Sequence, residues 1–183
     1  MFSSNIGPCV LEYDGTEIGE TYGGANFKYT MSAAESKTDK TGETARQRIV
    51  TGSECSVTVP LTEATLDQLA VVVPGSDLTA GPTNKALHLQ STVGMDLVDN
   101  AHTLILKPIV EGVASTDEED WTYIPKASVI PIFDVPFKLS DQKVWNVEFM
   151  GHPVLAEDVA TGGDLYDTDY VEGDVAILGY QEV

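Results

Sequence analysis

The stretch Glu54-Cys-Ser-Val-Thr-Val-Pro-Leu-Thr-Glu-Ala-Thr-Leu-Asp-Gln-Leu-Ala-Val-Val-Val-Pro-Gly75 changes its period in the middle. Cys55, Val57 and Val59 alternate with Glu54, Ser56 and Thr58, the two-residue repeat of a strand with one buried and one wet face. After Pro60 the apolar residues Leu66, Leu69, Ala70 and Val73 fall at spacings of three, four and seven. That is one stripe of a helix, expected over Leu61–Val72 with its cap near Leu61 or Thr62. Pro74-Gly75 stops it, and the stripe is core packing.

Outward from this stretch the strand pattern dominates. Ala25, Phe27, Tyr29 and Met31 point one way while Asn26, Lys28 and Thr30 point the other. Trp145, Val147 and Phe149 alternate with Asn146 and Glu148. Further strands are expected at Val10–Asp14, Lys85–Gln90, His102–Lys107, Trp121–Ile124, Val129–Ile132 and Phe133–Leu139. Pro131 and Pro136 make the last two poor central strands, because each removes a ladder donor. The pattern predicts a mainly β protein with a single helix.

The 183 residues suffice for one domain with a substantial core. Apolar residues make up 42% and charged residues 21%, which excludes a disordered tail. The longest apolar run, Leu69–Val73, is far short of the roughly 20 residues that cross a bilayer. Met1–Val10 has no basic residue and no sustained apolar stretch, so the expectation is an intact chain made in a cytoplasm, without a secretory signal.

Charge departs most from the average: 10 Lys and Arg against 29 Asp and Glu give a net −19. Capture of nucleic acid on a basic surface is excluded as the main mode. An acidic surface repels DNA and keeps a protein soluble, and solubility alone is the plainest reading. Cys9 and Cys55 have no metal or redox spacing and read as reduced thiols. His88, His102 and His152 are too scattered for zinc.

Three stretches lack the regular pattern. Ser32–Gln47 is a long polar loop between two good strands. With Arg48 it holds four of the ten basic residues, Lys37, Lys40, Arg46 and Arg48, and a loop this long seldom lacks a use. Glu111–Asp120 reads as an exposed acidic loop. Val154–Val183 has eight acids and no Lys or Arg, interrupted by Leu165, Tyr166, Tyr170, Val175, Ile177, Leu178 and Tyr180. The division expected is a β domain over residues 1–153 and an acidic C-terminal extension over 154–183, with apolar residues that order against something.

No catalytic constellation stands out: there is no G-x-S-x-G elbow, no H-E-x-x-H and no G-x-x-x-x-G-K. His152 before Pro153 reads as a strand-end histidine rather than a base. Asp164, Asp167, Asp169, Glu172 and Asp174 invite calcium, but Val171 and Glu172 stand where a third ligand and the glycine belong. Solvated charge is the preferred reading. Tyr22, Phe27, Lys28 and Tyr29 are the nearest approach to a base-stacking surface, yet the alternation turns the aromatics toward the core. The expectation is a protein that is not an enzyme, with no cofactor and no metal.

Specific phrases then point to a family. Gly7-Pro8 through Asp14-Gly15, the run Gly19-Glu20-Thr-Tyr-Gly23-Gly24 and the strand to Tyr29 resemble the N-terminal portion of tail tube proteins of tailed bacteriophages. The resemblance continues through Arg48–Leu61, the helix with Leu66 and Leu69, Thr103–Pro108, Asp120–Ala127, and Val135–Lys138 through Val147-Glu148-Phe149. It covers most of Gly7–Pro153, and the order and spacing of the phrases carry it.

The resemblance implies two packed antiparallel sheets, a β-sandwich or barrel with one flanking α-helix. It implies hexameric rings whose sheets join into an inner barrel and stack into a tube for genome delivery. The partners implied are further copies of the chain, then tape measure, baseplate or tip, terminator and a sheath in contractile tails. Double-stranded DNA passes without specific binding, no membrane is inserted, and the place is the virion tail, assembled in the host cytoplasm. On this reading Glu54, Ser56, Thr58, Asn146 and Glu148 face an electronegative lumen, since their neighbours fit the core side. Lys37, Lys40, Arg46 and Arg48 form an inter-ring loop. The competing reading is a non-enzymatic β-sandwich binding module with calcium as its ligand.

Overall fold

The computed structural model describes residues 8–179 except 38, 41, 82–83, 91, 134–142 and 160–169. β1 (Cys9–Tyr13) turns through Asp14 and Gly15 into β2 (Thr16–Glu17). Both turn residues have positive φ, 50° and 67°, the geometry that matches strand twist in a two-residue hairpin. β3 (Glu20–Thr21), β4 (Asn26–Ser36) and β5 (Gln47–Glu63) follow, then α1 (Leu66–Val72). β6 (Asp77–Ala80) and β7 (Lys85–His88) form a separate hairpin. β8 (His102–Val110), β9 (Val113–Ala114), β10 (Thr122–Ile132), β11 (Trp145–Gly151), the single turn α2 (Ala156–Val159) and β12 (Ile177–Leu178) complete the chain.

Ten strands make one antiparallel sheet, in the order β2-β1-β8-β10-β11-β5-β3. β4 continues the lane of β3 along β5, and β12 continues that of β11 along β10. The two ends of this order, β2 and β3, are joined in sequence by Ile18-Gly19 alone. The sheet therefore coils on itself, and its halves pack as the layers of a β-sandwich, as expected. Ile18 is buried and donates its N–H to Leu11 O at 2.9 Å. Gly19 has φ +35°, and a Cβ there would lie 2.2 Å from Glu63 O. Gly19→Ala is expected to cost at least about 2 kcal/mol, read in urea melts.

The core is built by the alternation. Leu11 and Tyr13 of β1 meet Val57, Val59 and Leu61 of β5, Leu104 of β8, Ile124 and Val129 of β10, and Val147 and Phe149 of β11. The Tyr13 and Phe149 rings lie 5.2 Å apart. Tyr13 donates its hydroxyl proton to Ala127 O at 3.1 Å, and burial pushes its pKa up to about 12. The thiols of Cys9 and Cys55 are free, and burial raises both, that of Cys55 to about 11.

Four expectations need correction. The helix starts at Leu66 rather than Leu61, because Leu61 is buried in the core and pairs with Trp145 as part of β5. Thr65 is the cap: its hydroxyl accepts from Gln68 N while its own N–H donates to the Gln68 side chain, a capping box. The buried stripe is Leu69, Val72 and Val73, with Leu66 left outside. Second, Trp121–Ile124 and Val129–Ile132 are parts of one strand, β10, with a bulge between Ile124 and Ala127 that absorbs Pro125.

Third, the polar stretch Ser32–Gln47 is strand at its two ends, Ser32–Ser36 and Gln47. β4 and β5 pair from Asn26–Thr58 out to Ser36–Gln47, so only 37–46 remain as a tip. Fourth, the division at residue 153 is not followed. Val154 N donates to Asp174 O and Gly173 N to Val154 O, at 2.8 and 2.7 Å. Val175 lies in the core, Tyr170 is buried, and β12 pairs with β10. Apolar burial ties residues 170–179 into the β domain. Leu165, Tyr166, Tyr180 and the carboxylates Asp164, Asp167 and Asp169 lie outside the described residues, as does the strand expected at Phe133–Leu139 beyond Phe133. No described helix is long and apolar enough to cross a membrane.

Candidate functional site

Four neighbouring strands, β4-β5-β11-β10, present one wet face. Residues directly opposite in an antiparallel ladder share a side of the sheet. The register gives the rows Thr30–Glu54, Lys28–Ser56–Met150–Ser128, Asn26–Thr58–Glu148–Ile130 and Pro60–Asn146–Ile132. The alternate rows, Tyr29–Cys55–Gly151–Ala127, Phe27–Val57–Phe149–Val129 and Val59–Val147–Pro131, turn inward. Glu54, Ser56, Thr58, Asn146 and Glu148 therefore stand together on one face. Glu54, Thr58 and Asn146 are exposed, Ser56 and Glu148 half-buried.

Lys28, Ile130, Ile132 and Met150 belong to the same face, beside the five residues expected there. The parity of Lys28 with Asn26 and Thr30 was visible in the sequence. Its place beside Ser56 depended on pairing that no local pattern encodes. The rows hold two carboxylates, Glu54 and Glu148, and one ammonium, Lys28.

Among the described residues, both outer edges of this unit lack a strand partner along part or all of their length. Among the described residues β4 pairs only with β5. On the other flank β8 reaches only as far as Ala127, opposite His102, so no described strand pairs with Ser128–Ile132 on that side. Pro131 sits in this stretch, where a missing ladder donor costs least.

Beyond the core β4 and β5 run on as a two-stranded ribbon. From Gln47 to Glu54 every residue of β5 is exposed, a reach of about 26 Å at roughly 3.3 Å per residue. A bulge at Ser32/Ala33 leaves Thr51 as the extra residue. Arg48 Nε donates to Glu35 at 2.6 Å, and Lys37 pairs with Glu43 at 3.4 Å. Two of the four cations expected to reach a neighbour are thus paired within the ribbon. Lys40 and Arg46 make no ion pair among the described residues.

At the other end of the face, Ser128 is buried and its hydroxyl lies 2.7 Å from His152 Nε2. Lys126, on the same side of β10, bonds Asp158 of α2 at 2.8 Å, and His152 N donates to Lys126 O. Burial, then the Lys126 ammonium, hold His152 below its ordinary 6.5, with Asp96 opposing. The fold favours the neutral imidazole. Stability is therefore expected to fall as pH drops below 6.5 toward the lower folded value. Urea melts between pH 7.5 and 5 check this, with His152→Gln expected to lose less stability than the native chain over that range.

No protein-family model matches this chain, and no curated protein matches it.

Proposed function

We propose that this chain is a structural subunit of a bacteriophage tail tube, with no chemistry of its own. The observation that carries the reading is the four-stranded unit β4-β5-β11-β10, wet on one face, core-packed on the other and, among the described residues, open at both edges. An open edge is a liability unless another chain covers it. Four alternating strands leave β4 and β10 running in opposite directions. A rotated second copy therefore brings its β4 antiparallel to the free half of β10, and repetition closes a ring.

Six copies set twenty-four strands side by side, at roughly 4.8 Å each a wall about 115 Å round and about 37 Å between facing backbones before strand tilt widens it. The wet faces line the bore, and the cores lie outside. The ribbons, which extend about 26 Å beyond the core, reach toward the next ring. The virion tail is the place this assigns, and the tail components named above are its partners.

Purified protein imaged in negative stain tests the reading. Long hollow tubes or six-fold rings are expected. Dispersed monomers whose melting temperature rises with calcium would support the binding module instead.

The bore's charge gives a further expected outcome. Carboxylates in the wall repel phosphates over about 8 Å at physiological salt. Glu54→Lys with Glu148→Lys leaves Lys28 unopposed and repeats cations around every ring. Each new phosphate contact tightens binding and makes it salt-dependent. Full-length tails with slowed genome ejection, recovering at raised salt, are expected; unchanged ejection would remove these residues from the bore or charge from its control.

A further inference from the structure

The core-side face of the ribbon leaves the domain as an apolar stripe. Tyr29, Met31 and Val50 are 47%, 56% and 57% exposed, with Ala33 paired to Val50. They extend the row of half-buried Phe27 and buried Val57 outward until the Glu35–Arg48 ion pair ends it. An apolar cleft of about 310 Å³ lies elsewhere on the same chain, lined by Val73, Pro74, Leu89, Met95, Leu97 and Pro131. Leu89 on its rim is 63% exposed. The cleft opens beside Val129–Pro131, on the stretch of β10 that lacks a second strand partner among the described residues. Contiguous exposed apolar surface of this kind marks a contact site.

We propose that this cleft receives Tyr29 and Met31 of a second copy of the chain. The proposal rests on the assembly reading above and names the seat of the contact. Laying a second β4 antiparallel beside Ser128–Ile132 continues both faces at once. Asn26, Lys28 and Thr30 join the wet rows, while Tyr29 and Met31 fall on the side of Val129, where the cleft opens.

Charge favours a copy of this chain as the occupant. Asn26–Val50 carries five cations against three acids, a net +2, while the remaining residues carry a net −21. A ribbon of that sign is drawn to the body of another copy and steered onto it. Stripe and cleft are different surfaces, so the contact is head-to-tail and repeats around a ring.

The test mixes two full-length variants, Met31→Cys and Leu89→Cys, each altered at an exposed position, and treats assembled and dispersed fractions with a short bis-maleimide. Peptides joining residues 31 and 89 are then identified by mass spectrometry. The proposal expects that link in the tubes, at least about ten-fold above the dispersed fraction, and expects Leu89→Asp to raise the protein concentration needed for tubes about ten-fold. Tubes that form without the link, or a Leu89→Asp chain that assembles like the native one, overturn the cleft assignment and leave assembly standing. Failure of the native chain to assemble at any concentration overturns both.

Discussion

Replacing Ala33–Thr51 by Asn-Gly is expected to yield a folded protein that builds no long tubes. The excised ribbon is exposed along its described length apart from the half-buried Ala45, and none of its residues enters the core. Ser32 pairs with Gly52, so a two-residue turn closes the shortened hairpin without shifting register. Stability should stay within about 1 kcal/mol of the native chain, since surface changes away from packed features cost little. Assembly should fail at the stacking step, with single rings as the largest product. Each ribbon contact is weak, exposed ion pairs being worth about 0–1 kcal/mol, but a ring repeats it with every copy. Sedimentation and electron microscopy of the shortened chain decide the matter. Normal tubes would show that the ribbon has no part in stacking.

Phe149→Ala is expected to cost about 3–5 kcal/mol, a large share of the roughly 5–15 kcal/mol that stabilises a domain. Phe149 is fully buried at the centre of the core, against Tyr13 and across from Val57 and Val129. Its loss leaves a cavity between the two halves of the coiled sheet, where strands on both sides are fixed by hydrogen bonds and cannot collapse inward. Urea unfolding of the purified chain measures it. A loss under about 1 kcal/mol would mean that the halves do not pack as described.

What the sequence disclosed follows from where burial is one-sided. Cys55, Val57 and Val59, like Val147 and Phe149, lie against the core with wet neighbours between them, so their alternation is legible and their assignment to the inner face holds. The outer ribbon is exposed on both faces. Ser32, Ala33, Ala34 and Glu35 carry no period because nothing selects one, and the stretch reads as loop although it is strand.

The helix start was legible in Thr65-Leu-Asp-Gln68, a capping box. Pro60 reads as a strand end, yet the strand runs through that residue to Glu63. At the C-terminus eight acids outweighed Val175 and Tyr170, whose burial sets the path of the chain. The wet face was half legible. Parity gave each strand's outward residues, but the adjacency of β4, β5, β11 and β10, and hence the place of Lys28, Ile130 and Met150, arises from pairing between distant segments.

The central claim is that β4 of one copy completes β10 of the next, wet face inward. A helical reconstruction of the assembled protein tests it most directly. The account predicts rings in which Asn26–Thr30 hydrogen-bonds to Ser128–Ile132 of the neighbour, with Glu54, Thr58 and Asn146 facing the bore. Tubes in which the outer edge of β4 meets solvent, or in which Phe149's side of the sheet faces the bore, would contradict it.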